Sequence, residues 1–169
     1  MTDRSGGISG IEPIIRLADR NDLSAVCEMD QRGRSKLVGA RGGDAWIAEH
    51  PPIEVLMEES TIRVLVAELS GVVVGFSSSF DEDVQDRGRV CRIERIYVDD
   101  EAREIGCGDA LLAAEISRAL ERGCGVIEAQ ALPGDRDTKN LYERGGITAR
   151  LITVSKRLSG PSIEAPASR

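Results

Sequence analysis

The sequence predicts a mixed α/β fold, a central and mostly antiparallel sheet flanked by helices. Three observations carry that reading. Apolar residues switch repeatedly between alternation and helical spacing along the chain. Two β-rich segments are joined by Ser70-Gly71, a dipeptide suited to a tight turn. A long amphipathic segment, 109–122, stands between two further β-rich segments, so strands and helices interleave.

The elements follow in order. Pro13 to Leu17 reads as a first strand, and Asp19 to Asp22 offers caps for a helix over Asp22 to Met29. Residues 31–59 give mixed signals around a glycine-rich break, Gly39 to Gly43. Thr61 to Glu68 alternates as a strand and turns at Ser70-Gly71 into a second, Val72 to Phe80. An acidic run, Asp81-Glu82-Asp83, reads as a loop before the β-rich segment Arg89 to Val98. In 109–122, Ala110, Leu111, Ala113, Ala114, Ile116 and Leu120 supply an apolar stripe that Gly123 ends. Val126 to Leu132 predicts a strand, Asp135 to Arg144 a short helix, and Ile147 to Leu158 a last strand. The organisation is a lead-in at 1–12, one domain over 13–158, and a Pro/Ser/Ala-rich tail at 159–169.

Composition narrows the function. The 169 residues are 41% hydrophobic but only 3% aromatic, so the core rests on Leu, Ile, Val and Ala. A net charge of −7 argues against nucleic acid as a partner, and either favours cationic ones or only keeps the protein in solution. Cys27, Cys91, Cys107 and Cys124 stand apart, and the one histidine, His50, precedes Pro51-Pro52. That spacing predicts neither a metal site nor a disulfide framework. The longest apolar run, Val72 to Phe76, is too short to span a bilayer, and no secretory signal opens the chain. A cytoplasmic protein with no membrane partner is expected.

Chemistry concentrates in Ile93 to Leu111, which reads as strand, glycine-containing loop and helix. Backbone N–H groups at a helix start lack internal partners and carry the positive end of the dipole. Gly106 and Gly108 permit close approach of an anion, and Arg103 adds a charge at the mouth. The segment therefore suits phosphate or pyrophosphate. It lacks the Lys-Ser/Thr of a Walker loop, and Leu111 stands where a dinucleotide fingerprint needs its third glycine.

The remaining pattern, Arg103-Glu104-Ile105-Gly106-Cys107-Gly108, resembles the pyrophosphate loop of GNAT acetyltransferases, R/Q-x-x-G-x-G/A. Ile96-Tyr97-Val98, continuing to Arg103, is similar to the family's L-Y-V-x-P-x-x-R, and Leu141-Tyr142-Glu143 to Ile147 to its L-Y-E-x-x-G-F. The resemblance spans about residues 13–158. It implies a sheet with splayed strands and acetyl-CoA as co-substrate. By the same resemblance Ile96, Tyr97 and Val98 meet the pantetheine and acetyl groups. Arg103, Glu104, Ile105, Gly106, Cys107 and Gly108 hold the pyrophosphate, and Asp109 and Ala110 open the helix. Arg136 or Lys139 would offset the acidic Asp135, which stands where the family prefers Asn. Thr138 and Ile147 are further departures from the pattern.

Amine acetylation by direct attack needs a neutral amine, and a lysine-like amine has a pKa of about 10.4, so a base is useful. Glu94, nine positions before Arg103, matches the family's glutamate for that role. As a plain strand residue it would instead pair with Arg92 or Arg95, and alternation sends Arg92, Glu94 and Ile96 to one face. Tyr142 matches the family's proton donor to the departing thiolate. Its alternative is a half-buried aromatic on a short helix. Cys107 reads as a small filler within the loop.

The acceptor is left open among amino sugars, polyamines, amino acids and protein N-termini. Asp81, Glu82, Asp83 and Asp86 offer an acidic stretch for a cation, or only a solvated loop. The resemblance also implies a homodimer through the last strands. A non-catalytic acyl-CoA-binding module, or an enzyme using another acyl donor, are the competing readings.

Overall fold

The computed structural model describes residues 12–59 and 61–150. One sheet holds five strands in chain order: β1 Ile14–Leu17, β2 Arg63–Leu69, β3 Val72–Val84, β4 Gly88–Val98 and β5 Val126–Ala129. The first four are antiparallel neighbours, and β5 lies parallel to β4. A parallel pair requires a crossover, which α4 (Cys107–Glu121) supplies. Helices α1 (Leu23–Leu37), α2 (Gly43–Glu49) and α3 (Ile53–Met57) fill the connection from β1 to β2, and α5 (Arg136–Arg144) follows β5.

The sheet is covered on both faces, which is why its strands are apolar at successive positions. In β2, Val64 and Val66 pack with Val26 and Met29 of α1 and with Ile53 and Leu56 of α3. Leu65 and Ala67 turn the other way, onto Cys107 and Leu111 of α4. Between β2 and β3, Ser70 and Gly71 take φ of 50° and 84°, the left-handed pair that a two-residue hairpin turn requires.

Several expectations change. The first helix continues eight residues past Met29, to Leu37. Its second half carries no apolar stripe because only Asp30 there is buried. Gly33 sits where a Cβ would lie 3.0 Å from the Tyr97 ring, so the glycine admits the aromatic. The unreadable region 31–59 becomes the end of α1 with α2 and α3.

The acidic run is strand, not loop, since β3 extends to Val84. Asp81 is buried against Arg63 at 2.6 Å, Arg122 at 2.9 Å and Arg89 at 3.2 Å, and Glu82 pairs with Arg92. Asp81 is thus a structural anion, Asp83 and Asp86 are exposed, and none of Asp81, Glu82, Asp83 and Asp86 lines the main cleft. The last strand expected over 147–158 is absent from 147–150, and its remainder lies outside the described residues. The dimer expected through that strand, and the proposed lead-in and tail, likewise fall largely outside them.

Candidate active site

The site is made by a defect in the sheet. β4 pairs with β5 only from Val90 to Ile93, whereas its pairing with β3 continues to Val98. Beyond Ile93 the edge facing β5 is left unpaired by that strand, and a gap opens through the sheet. A bulge starts it: Ser78 opposes Arg95 and the next residue, Ser79, opposes Ile93, leaving Glu94 as the extra residue.

The bulge resets alternation. Cys91 and Ile93 face α4, but after the bulge Ile96 and Val98 face α4 and Tyr97 joins the α1 side. The expected shared face of Arg92, Glu94 and Ile96 is therefore broken between Glu94 and Ile96. Around the gap lies a cleft of ≈ 950 Å³, lined by the end of β4, the start of α4, α5 and the loops beside α1 and α2. That volume is at the upper end for small-molecule sites, about 300–1,000 Å³. A second groove of ≈ 390 Å³ runs along the outer side of α4, near the Arg144–Asp109 pair.

At one end of the cleft α4 begins. Its N-cap, Gly106, takes φ of 88°, and a Cβ there would meet open space. No side chain caps the helix. Among the described residues, the amides from Ile105 to Asp109 donate to no backbone or side-chain acceptor in the protein. They present unpaired donors and a dipole end where an anion fits. Glu104 also takes a left-handed φ, 68°, an uncommon conformation for a non-glycine residue. Arg103 stands at the rim within 3.1 Å of Asp100 and 3.5 Å of Asp137. Cys107 is buried, and burial pushes its thiol up, in keeping with a filler role.

Glu94 lines the cleft from the α1 side. Neither arginine considered as its partner takes it. Arg92 pairs with Glu82 and Glu128, while buried Arg95 pairs with Asp30 at 2.6 Å and donates to the Pro51 carbonyl at 2.8 Å. The nearest charged-group partner of Glu94 is His50, whose Nε2 lies 3.9 Å from Oε2. His50 stacks on Trp46 with centroids 4.3 Å apart, and its Nδ1 is 2.8 Å from the Trp46 carbonyl.

Tyr142 lines the cleft from the other side, packed with Ile93 and Leu112. Burial, reinforced by the carboxylates of Asp135 and Glu115, pushes its phenol well above the usual range. It stays protonated throughout physiological pH. Asp135, the departure from the family's Asn, accepts from the Thr138 amide at 3.0 Å and so caps α5.

Of the expected cofactor residues, Ile96, Tyr97, Val98, Arg103, Glu104, Gly106, Cys107, Gly108 and Asp109 line the cleft. Ile105, Ala110 and Lys139 do not; Lys139 lies 3.5 Å from Glu143 instead. Sequence reasoning missed His50, Trp46 and the Asp30–Arg95 pair. The spacing of Trp46 and His50, four apart, held the signal, but only once α2 is known to be a helix. Among the described residues no group of three or more His, Cys, Asp or Glu could hold a metal, and no helix could cross a membrane.

A sheet opened beside an uncapped helix start, with a carboxylate and a protonated phenol along the opening, has the parts of an acyl-transfer site. The chain belongs to the acetyltransferase (GNAT) family, whose profile matches residues 25–146, and it is an acyltransferase. Solved structures share the fold. A ribosomal-protein-alanine N-acetyltransferase from Brucella melitensis biovar Abortus 2308 is 23% identical with TM-score 0.66, over 88% of this chain and 99% of that one. AAC(6')-Iy, solved with the bisubstrate analogue CoA-S-monomethyl-acetylneamine, is 23% identical with TM-score 0.61, over 87% and 99%. An acetyltransferase from Trypanosoma brucei is 21% identical with TM-score 0.63, over 87% and 100%. A search of curated proteins finds no match.

Proposed function

We propose that the protein transfers an acetyl group from acetyl-CoA to a primary amine by direct attack of the amine on the thioester. The observation that carries this is the placement of unpaired α4 amides, the open β4 edge, Glu94 and Tyr142 around one cleft. The amides of Gly106 to Asp109 would hold the pyrophosphate, with Arg103 released from Asp100 to join them. The unpaired edge from Glu94 to Val98 would receive the amide-rich pantetheine arm as a neighbouring strand would. A backbone N–H near Tyr97 or Val98 would support the developing oxyanion.

Glu94 accepts a proton from the acceptor's ammonium, directly or through water, leaving the nitrogen lone pair free to attack. Tyr142 donates its phenolic proton to the departing thiolate. The phenol is protonated at neutral pH, but burial makes it a weaker acid than a free phenol, so its place along the cleft rather than its acidity supports this role. Two relatives by fold are named for a ribosomal-protein alanine and an aminoglycoside. Both are amines, so the screen for this chain spans that range.

Calorimetric titration of acetyl-CoA and free CoA, with Arg103→Glu and Gly106→Trp as controls, tests the cofactor assignment. Thiol release with spermidine, glucosamine and an alanine-initiated peptide then tests transfer. No binding of either ligand at millimolar concentration overturns the reading. Binding without turnover of any amine leaves an acyl-CoA-binding module.

A further inference from the structure

Resting on that reading, we infer that His50 is the proton-relay partner of Glu94, a positioning residue that acts through the carboxylate. The chain has one histidine; it does not itself line the cleft but contacts Glu94 and Trp46, which do. Its Nδ1 lies 2.8 Å from the Trp46 carbonyl, in the same helical turn. A carbonyl oxygen can only accept, so Nδ1 carries the hydrogen. The same carbonyl accepts the His50 backbone N–H at 3.0 Å, and Trp46 stacks face to face on the imidazole. Ring orientation and tautomer are thus both held by α2.

In the neutral ring this leaves the lone pair of Nε2 facing Glu94 Oε2 at 3.9 Å. Two acceptors face one another across a gap that one proton fills. Both side chains are about four-fifths buried, with relative exposures of 17% and 20%, so water offsets little of that pairing. Two other charges stand over the Trp46 ring on which the imidazole stacks. Arg34 of α1 donates to the carbonyls of Ile47 and His50, and Arg95 of β4 is neutralised by Asp30 of α1. Glu94 is the one carboxylate among the described residues in ion-pair range of the imidazole.

The step balances simply. An N–H bond of the acceptor ammonium breaks, and its electron pair stays on nitrogen. The proton passes to Glu94 and then to Nε2, forming the imidazolium beside the restored carboxylate. A small side-chain rotation shortens 3.9 Å to hydrogen-bond length, as catalytic contacts commonly tighten on substrate binding. The carboxylate is again ready to take the second proton, which the nitrogen loses as the amide forms.

The test needs no substrate for its first arm. In protein labelled with ¹⁵N at histidine, the single imidazole is expected as the Nδ1–H tautomer when neutral. Glu94→Gln is expected to move the Nε2 resonance more than Nδ1. In the second arm His50→Gln is assayed with spermidine, glucosamine or the alanine-initiated peptide, whichever the wild type acetylates fastest. The relay requires Glu94 ionised and His50 neutral, so the acid limb of the wild-type kcat profile steepens towards a slope of two. In His50→Gln the slope falls to one, kcat drops at least about tenfold, and KM changes little. An Nε2–H tautomer, or a His50→Gln enzyme with unchanged kcat and slope, overturns the relay while leaving acetyl-CoA binding intact. Absence of acetyl-CoA binding overturns the transferase reading, and the tautomer result stands apart from it.

Discussion

The two glycines of the loop make opposite demands, and substituting each by alanine separates them. Gly106 caps α4 at φ of 88°, where a Cβ meets nothing within 4 Å. The cost of Gly106→Ala is therefore conformational rather than steric, about 1–2 kcal/mol for an L-residue in the left-handed region. Gly108 lies inside the first turn of α4, and a Cβ there would stand 3.5 Å from both Leu141 methyls and 3.8 Å from Val98. Those are ordinary van der Waals contacts. Gly108→Ala then gains up to about 1 kcal/mol of helix propensity. At about 2–4 °C per kcal/mol for a domain of this size, thermal unfolding should place Gly106→Ala about 2–8 °C below wild type. Gly108→Ala should lie up to about 4 °C above it. The branched Gly108→Val would crowd the space between Val98 and Leu141 at the cleft, weakening acetyl-CoA at least about tenfold by calorimetry. If both alanine variants lose stability equally, or Gly108→Val binds acetyl-CoA as wild type does, the assignment of these positions is wrong.

Three further outcomes are expected. Glu94→Gln should lower kcat about 100-fold with the melting temperature held, since no ion pair to Arg92 or Arg95 is lost; wild-type kcat would exclude Glu94 as the base. Asp81→Asn should cost about 2 kcal/mol, because a buried carboxylate serves three partly exposed arginines, yet leave acetyl-CoA affinity unchanged. Arg122 follows the C-terminal end of α4, about 22 Å from the loop at its start, so a change in affinity would contradict that separation. Burial, with Glu115 nearby, pushes the fully buried Cys91 thiol up to about 11. A folded pKa raised above the unfolded value of about 8.5 gives stability that is whole below pH 8.5 and lost on rising through 11. Melting temperature followed across that window should fall less steeply in Cys91→Val; equal slopes would deny the thiol its part.

Local rules made some of this molecule legible. Ser70-Gly71 needs only its own backbone preference to announce a hairpin, and the stripe of α4 announces a helix packed on one side. Gly106 and Gly108 mark a candidate anion site because an uncapped helix start is a local object. The second half of α1 escaped notice because its burial comes from a glycine under Tyr97 and a buried Asp30 answering Arg95, partners 64 and 65 positions away. Asp81 was misplaced for the same reason: an acidic triplet looks solvated until Arg63, Arg89 and Arg122 converge on it.

What the sequence by itself determined is the alternation of strands and helices outside residues 31–59, the glycine loop before α4, and the candidacy of Glu94 and Tyr142. What only the tertiary structure decided is the surroundings of those two groups. The bulge at Glu94 depends on the register of β3 against β4, which no period along one strand can encode, because alternation alone cannot say where a residue is left out of a ladder. That one extra residue is Glu94, left out of the ladder just where β4 and β5 stop pairing, with its carboxylate 3.9 Å from the histidine at α2's end. Charges and periods are written along the chain, but contact between positions 50 and 94 exists only after the sheet has been built.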